Sequence, residues 1–312
     1  MAHVPDTQGQ EISGSRRQLT PHDMWVWNDV NHWKHWHGIW VMWQPLLSPA
    51  VNKANRCIRS LRADNEERTR LYHRNQWFPV EDDAKTPGYT WAYGPWIMEE
   101  ATHSLPNGIW HGDKEDFRIL QFENGDLGWL QLELKPDDPN CVVFGEVHFM
   151  LPDKNGRAPV ILGYDKDKQL GAALMLEETL ESDDKPPPAW HGTVWEQPRA
   201  MAQLEQSRDP PQGKFIGKET ILTTSLVQTQ RQAEWNGFTG GVGNQGLDNE
   251  YALVHMPYNF TAFAPAKPAI GKEHAFGVSW VMSGDEVRMI SWKYGADGKL
   301  QHVKSGTYYK VQ

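Results

Sequence analysis

Along most of the chain, apolar and polar residues alternate with a period of two, in short runs separated by polar turns. The clearest run is 117–134. Ile119 to Phe122 forms one arm and Asn124-Gly125 the turn. The second arm, 127–134, sets Leu130, Leu132 and Leu134 against Trp129, Gln131 and Glu133. This is the pattern of a β-hairpin with one face on a core. Further strands are expected within 61–78, around Leu71-Tyr72-His73, and across 89–98, where Gly94-Pro95 breaks the run. Others are expected at 141–150, 160–164, 218–230, 251–256, 276–282, 286–294 and 301–311. Helical periodicity is confined to 21–36, where Trp25, Trp33 and Trp36 can share one face. It reads as one short helix that plugs or covers a barrel. Many short antiparallel strands with tight turns predict an all-β chain of barrels or sandwiches.

A motif occurs twice. Trp36-His37-Gly38-Ile39-Trp40 leads to Gln44-Pro45, and Trp190-His191-Gly192-Thr193-Val194-Trp195 leads to Gln197-Pro198. Two hairpin endings also match, Tyr164-Asp165-Lys166-Asp167-Lys168-Gln169-Leu170 and Tyr294-Gly295-Ala296-Asp297-Gly298-Lys299-Leu300. Internal repetition implies a duplicated fold unit. The expected organisation is a disordered tail over 1–20, a first barrel over 21–182, a stiff acidic and proline-rich linker over 183–189, and a second barrel over 190–312. Each unit suits a small barrel around one ligand. A glycine-rich stretch, 236–249, is not followed by a helix pattern or a Lys-Ser/Thr pair, so it reads as a loop and not a phosphate cradle.

Composition narrows the function. The net charge of −9 disfavours a nucleic-acid footprint. The sequence has no apolar run long enough for a membrane helix, and its polar start lacks the core of a signal peptide. With only two cysteines, Cys57 and Cys141, this predicts a cytoplasmic protein with free thiols. No Walker, Rossmann or Ser-His-Asp pattern is present. The 16 Trp residues suit stacking on a flat aromatic ligand, beside their ordinary use in cores. Nothing in the pattern fixes an oligomeric state.

Glu146 and His148 are the candidate catalytic pair. A two-residue period puts them on one face with Val142, Phe144 and Met150. If that face points into the barrel, burial raises the Glu pKa and lowers the His pKa, while their mutual attraction opposes both. Such a pair suits acid–base work on a ketone. His32, His35 and His37 straddle a helix end and do not converge well on a metal. Glu99, Glu100, His103 and His111, with Trp91, Trp96 and Trp110, form a second cluster that can line a pocket mouth. Arg118 is a candidate for holding a substrate carboxylate.

Gly38-Ile39-Trp40, after a helical entry, resembles the Gly-x-Trp opening of lipocalin-like (calycin) barrels. The longer pattern is more specific: 32–40, Phe122-Glu123-Asn124-Gly125, the Tyr164 turn and the Tyr294 ending. It is similar to a family of largely uncharacterised cyanobacterial proteins built as two such barrels. One member type is the scytonemin biosynthesis cyclase, which closes a ring on an indole-bearing β-keto acid without a redox cofactor. The resemblance implies two tandem barrels and a cofactor-independent cyclase acting on a small hydrophobic aromatic substrate. It assigns no residue. A binding protein or lyase-like carrier for a hydrophobic pigment or tetrapyrrole is the alternative, and an assembly factor a third reading.

Overall fold

The structure, a computed structural model, describes residues 10–11, 15–43, 53–79, 91–112, 114–138, 144–180, 211, 213–235, 251–256 and 258–311. The second motif copy at 190–198, the 183–189 linker, the glycine-rich stretch and Cys141 lie outside these residues.

Strands β1 (Gln10–Glu11) and β2 (Arg17–Gln18) precede helix α1 (Pro21–His32). The first half continues with β3 (His35–Trp43), β4 (Lys53–Ala63), β5 (Arg70–Pro79), β6 (Trp91–Glu99), α2 (Glu100–His103), β7 (Ser104–Leu105), β8 (Gly108–Ile109), β9 (Phe117–Gln121), β10 (Leu127–Gln131), β11 (Phe144–Met150), β12 (Gly156–Tyr164) and β13 (Leu170–Leu180). The second half holds β14 (Phe215–Thr223), β15 (Val227–Trp235), β16 (Tyr251–Met256), β17 (Phe260–Pro265), β18 (His274–Ser283), β19 (Glu286–Tyr294) and β20 (Leu300–Lys310). All pairings are antiparallel. One sheet has the order β6-β5-β4-β3-β13-β12-β11-β10-β9-β8-β7; the other has β1-β15-β14-β20-β19-β18-β17-β16, with β2 also on β15. In each half the first and last strands pair, β3 with β13 and β14 with β20. This is the expected all-β, two-barrel architecture.

Several expectations need correction. Within the segment read as a disordered tail, β1 and β2 pair with β15. They take the place on β15 that β5 takes on β4. Helix α1 ends at His32 and not at 36, because His35–Trp43 gains two strand partners, β4 and β13. Pairing on both edges overrides a weak helical preference. The helix start is fixed by a capping box: Asp23 N donates to Thr20 Oγ1 (3.1 Å) and Thr20 N to Asp23 Oδ2 (2.7 Å), with Pro21 in the first turn. β6 runs through Gly94-Pro95, with a register shift against β5 between His73 and Asn75. Gly94 sits at φ +84°, where an added Cβ would lie 2.8 Å from His73 O. The run 218–230 is a hairpin, because polar Thr223 accepts from Leu226 N and Val227 N and turns the chain.

The matching hairpin endings hold. Tyr164 pairs with Leu170 and Tyr294 with Leu300, each after the same register shift. Carried outward through the pairings, this register makes Gly217, opposite Tyr308, the counterpart of Gly38, opposite Glu178. The first motif copy therefore corresponds structurally to Phe215-Ile216-Gly217.

The hairpins also reach across the halves reciprocally. Tyr164 Oη donates to Pro265 O (2.6 Å), and Tyr294 Oη to Gln131 O (2.7 Å). Leu170 N donates to Ala266 O and Leu300 N to Leu132 O, both at 2.8 Å. By register Gln131 and Pro265 are themselves counterparts. Between the barrels, Phe149 meets Phe260 and Trp280 edge-on, at 5.8 and 6.0 Å between ring centroids. Strand β11 is thus buried on both faces.

Candidate functional site

Period-two alternation on β11 turns Val147 and Phe149 toward the second barrel and Glu146 and His148 into the first. The partners come from every side of the first barrel. β4 brings Arg59, β12 Arg157, β13 Glu178 and α1 His32. All six side chains are buried, Glu178 completely.

They form one chain of contacts. His148 Nε2 lies 2.6 Å from Glu146 Oε1, and Arg59 Nη1 donates to the same oxygen at 3.2 Å. Arg59 Nε pairs with Glu178 Oε1 at 3.1 Å, and Arg157 Nε donates to Glu178 Oε2 at 2.6 Å. Arg157 Nη1 donates to His32 Nδ1 at 2.9 Å, so the His32 proton sits on Nε2 and is donated to Gly125 O at 2.8 Å. Arg157 also lies over the Trp36 ring, 4.4 Å from its centroid. Two guanidiniums and two carboxylates balance, as buried charges must.

The electrostatics follow. Burial alone would raise the Glu146 pKa, but Arg59 and the hydrogen bond from His148 outweigh it and hold the group well below the usual carboxylate range. Glu178 is likewise lowered against its own burial by Arg157 and Arg59. His148 is lowered by burial, with Glu146 opposing. Burial and Arg157 press His32 well below its ordinary value. An ionised Glu146 accepts the Nε2 proton of neutral His148, which leaves His148 Nδ1 a buried acceptor with no partner.

All of these groups except Glu178, which stands behind the two arginines, line a cavity of about 110 Å³. Its remaining wall includes Asn28, Leu61, Leu71, Ile119 and Leu127. Asn75, Trp96 and Trp129 are its half-buried members and mark the mouth. There His73 Nδ1 meets His111 Nε2 at 2.6 Å, and His73 Nε2 meets Asn75 Oδ1 at 2.8 Å. Burial, then His111, keep the His73 pKa well below normal.

The second barrel braces this site. Arg288 Nη2 and Ser305 Oγ donate to the two carboxylate oxygens of buried Asp126, at 2.7 and 2.6 Å. Arg288 Nη1 also binds Met150 O. The carbonyls of Gly125 and Asp126 in the same turn receive His32 and Gln121.

Of the residues singled out from sequence, Glu146, His148, His32, Trp96 and His111 come together at the cavity. Arg118 does not line it. Its guanidinium donates to Asn107 Oδ1 (2.9 Å) and to the carbonyls of Glu115 and Phe117, bracing the approach to β9. His103 stacks on Trp110 with centroids 4.9 Å apart, away from the cavity lining. Exposed Glu99 has Arg70 within 3.9 Å. The short α2 turns these groups outward, a reversal with no periodic signal. The Trp91 side chain lies outside the described residues. His32, His35 and His37 diverge: His32 is buried on Arg157, and His35 is exposed beside Ser60. Among the described residues no cluster of three or more metal-ligating side chains exists. Sequence reasoning missed Arg59, Arg157 and Glu178. The available signal was a charged residue on an inward register: Arg59 shares a face with Cys57 and Leu61.

The profile of a family described as "Domain of unknown function (DUF3598), N-terminal" matches residues 25–183, about half of the chain. The chain belongs to the DUF3598 family. A solved DUF3598 protein of unknown function from Nostoc punctiforme has 14% identity and a TM-score of 0.60, over 92% of this chain and 99% of that one. It shares the fold. Kievitone hydratase from Nectria haematococca aligns over 98% of this chain and 97% of its own, with 8% identity and a TM-score of 0.22, too low to carry an argument. No curated protein matches the sequence. No described helix is long and apolar enough to cross a membrane.

Proposed function

We propose that this DUF3598 protein is a cofactor-independent cytoplasmic enzyme whose first barrel uses His148 as a general base on a small aromatic substrate. The observation that supports this is the His148 ring, which lines the first-barrel cavity, is oriented through Nε2 by ionised Glu146 and keeps Nδ1 as a buried acceptor without a partner. A carboxylate-oriented imidazole is a standard means of moving a proton at neutral pH. Arg59 and Arg157 hold the pair in place, and Trp96 and Trp129 offer ring faces at the mouth.

The specific reaction we put forward is the ring closure of scytonemin-type indole pigment biosynthesis. The ring carbon of the indole-bearing β-keto acid attacks the ketone; His148 takes the proton that this carbon gives up and returns it to the ketone oxygen. The carboxylate then leaves as carbon dioxide, its electron pair forming the double bond and expelling the new hydroxyl, which takes a proton from solvent and leaves as water. Arg118 has no part in it, since its guanidinium is committed to its own loop. A non-catalytic carrier of a hydrophobic pigment or tetrapyrrole is the competing reading; the unpartnered His148 nitrogen favours the enzyme.

The test is a mass-spectrometric assay. Purified protein is incubated with the coupled product of indole-3-pyruvate and 4-hydroxyphenylpyruvate. Loss of water plus carbon dioxide is expected, absent with boiled protein and abolished in His148→Ala. Undiminished turnover in His148→Ala removes the base assignment. An unchanged substrate with wild-type protein removes the ring closure.

A further inference from the structure

A second recess lies in the angle between the two halves. It measures about 390 Å³ and, among the described residues, shares no lining residue with the first-barrel cavity. Small-molecule sites begin at roughly 300 Å³. One side is the 122–124 turn of the first half. The other is an array on three strands of the second half: Ser305 and Thr307 on β20, Lys218 and Thr220 on β14, Gln228 and Gln230 on β15. Ser305 pairs with Thr220, and Thr220 with Gln230, so hydroxyls and amides run continuously across the sheet. Packing does not require them. At the first-half registers matching Lys218, Thr220 and Ser305 stand Ile39, Val41 and Met175, all buried in the main core. The side chain that points to a ligand is Gln228. It lines the recess, is only 7% exposed, and its amide has no hydrogen-bond partner among the described residues. Its register neighbour is buried Leu222. An amide so placed is unfavourable until something bonds to it.

We infer that this recess is a binding site for an uncharged polyhydroxylated ligand, a mono- or disaccharide, read by the Gln228 amide and the hydroxyl row beside it. Each amide and hydroxyl of the array both donates and accepts, which complements sugar hydroxyls, since they do the same. The charged lining residues, Lys218 and Glu123, are opposite in sign and exposed, so the wall has no excess charge for an ion. Ser305 Oγ and Asn124 Nδ2 donate to Asp126 Oδ2 at 2.6 and 2.9 Å, which fixes the inner end in advance. The inference is independent of the general-base reading.

Isothermal titration of the full-length protein with glucose, galactose, mannose and maltose tests it, with inorganic phosphate and glycine as charged comparators. At least one saccharide is expected to bind with one-to-one stoichiometry, and neither comparator is. Gln228→Leu keeps the approximate shape of the side chain and removes both amide atoms. It should weaken that saccharide about tenfold, the scale of one hydrogen bond. The thermal midpoint should stay the same or rise, because the folded chain loses no hydrogen bond of its own. No binding by any of the four saccharides, tighter binding of phosphate or glycine, or a saccharide affinity unaltered in Gln228→Leu would each overturn the inference. His148→Ala separates the two sites, and should leave the saccharide affinity at the wild-type value. A saccharide weakened by His148→Ala and not by Gln228→Leu is bound in the first barrel, which also overturns it.

Discussion

The two barrels fill the same registers with opposite chemistry. Where the first places Arg59, Glu146, His148, Arg157 and Glu178, the second places Trp235, Gly277, Ser279, Val287 and Tyr308. In the second, Phe215, Ala233, Trp235, Val287, Met289 and Tyr308 close into an apolar cluster. Beside them the buried carboxylate of Glu219 accepts from Tyr308 and Arg231 at 2.5 and 2.7 Å. Apolar side chains lower their energy by interdigitating until the interior is full. Guanidinium–carboxylate chains are satisfied by one another along the wall, and so leave the centre open. Strand geometry alone therefore does not make a site; which residues occupy the inward registers does.

The contrast is most sharply broken at His148. Under the proposed function, His148→Ala lowers kcat by roughly 10²–10⁴-fold, the usual contribution of a general base, while Ser279→Ala at the matching register leaves kcat at the wild-type value. Single-turnover assays of both check this. Next in size is Glu178→Gln, which leaves two buried guanidiniums facing one carboxylate. Urea denaturation should register a loss of about 3–5 kcal/mol. Tyr308→Phe, its counterpart, removes one hydroxyl and should lose only about 1–3 kcal/mol. Equal losses would mean that the two interiors are energetically alike.

Acid should destabilise the chain through the first barrel. His32, His73 and His148 have folded pKa values below the unfolded value near 6.5. The unfolded chain therefore binds more protons than the native one below that pH. Stability is fully present above about pH 6.5 and falls as the pH drops beneath it, by up to about 1.4 kcal/mol per pH unit for each such His. Glu146 and Glu178, whose folded pKa values are also lowered, add to the loss below about pH 4.3. Denaturation midpoints between pH 7.5 and 5 should shift less in His73→Gln than in the parent. The smallest effect is expected at the junction. Tyr294→Phe should remove about 1 kcal/mol and keep a single unfolding transition; two resolved transitions would show that the barrels unfold independently.

Much of this fold was legible. The strands at 251–256 and 286–294 match their predicted bounds because alternation and turn signals coincide there. The hairpin at 117–134 was legible too, although β10 stops at Gln131 where the chain crosses to meet Leu300. β17 was missed, since Phe260–Pro265 is nearly all apolar and gives no period. For the site, the β11 pair was readable from one strand alone. Arg157 and Glu178 face each other across the local β12–β13 hairpin, but Arg59 joins them only through the pairings of β3 with β4 and with the distant β13, which no local pattern encodes. Arg118 misled because a strand-end arginine looks the same whether it faces a ligand or its own loop.

The reciprocal tyrosine contacts give the two halves the geometry of a two-fold symmetric dimer written into one polypeptide. In a true homodimer every substitution appears twice, so an interior that gains a catalytic group on one side gains it on the other. Covalent tandem arrangement lifts that constraint. One half can give up packed volume for a reactive wall, while its twin keeps the dense interior and supplies the Arg288–Asp126 brace that the altered half relies on.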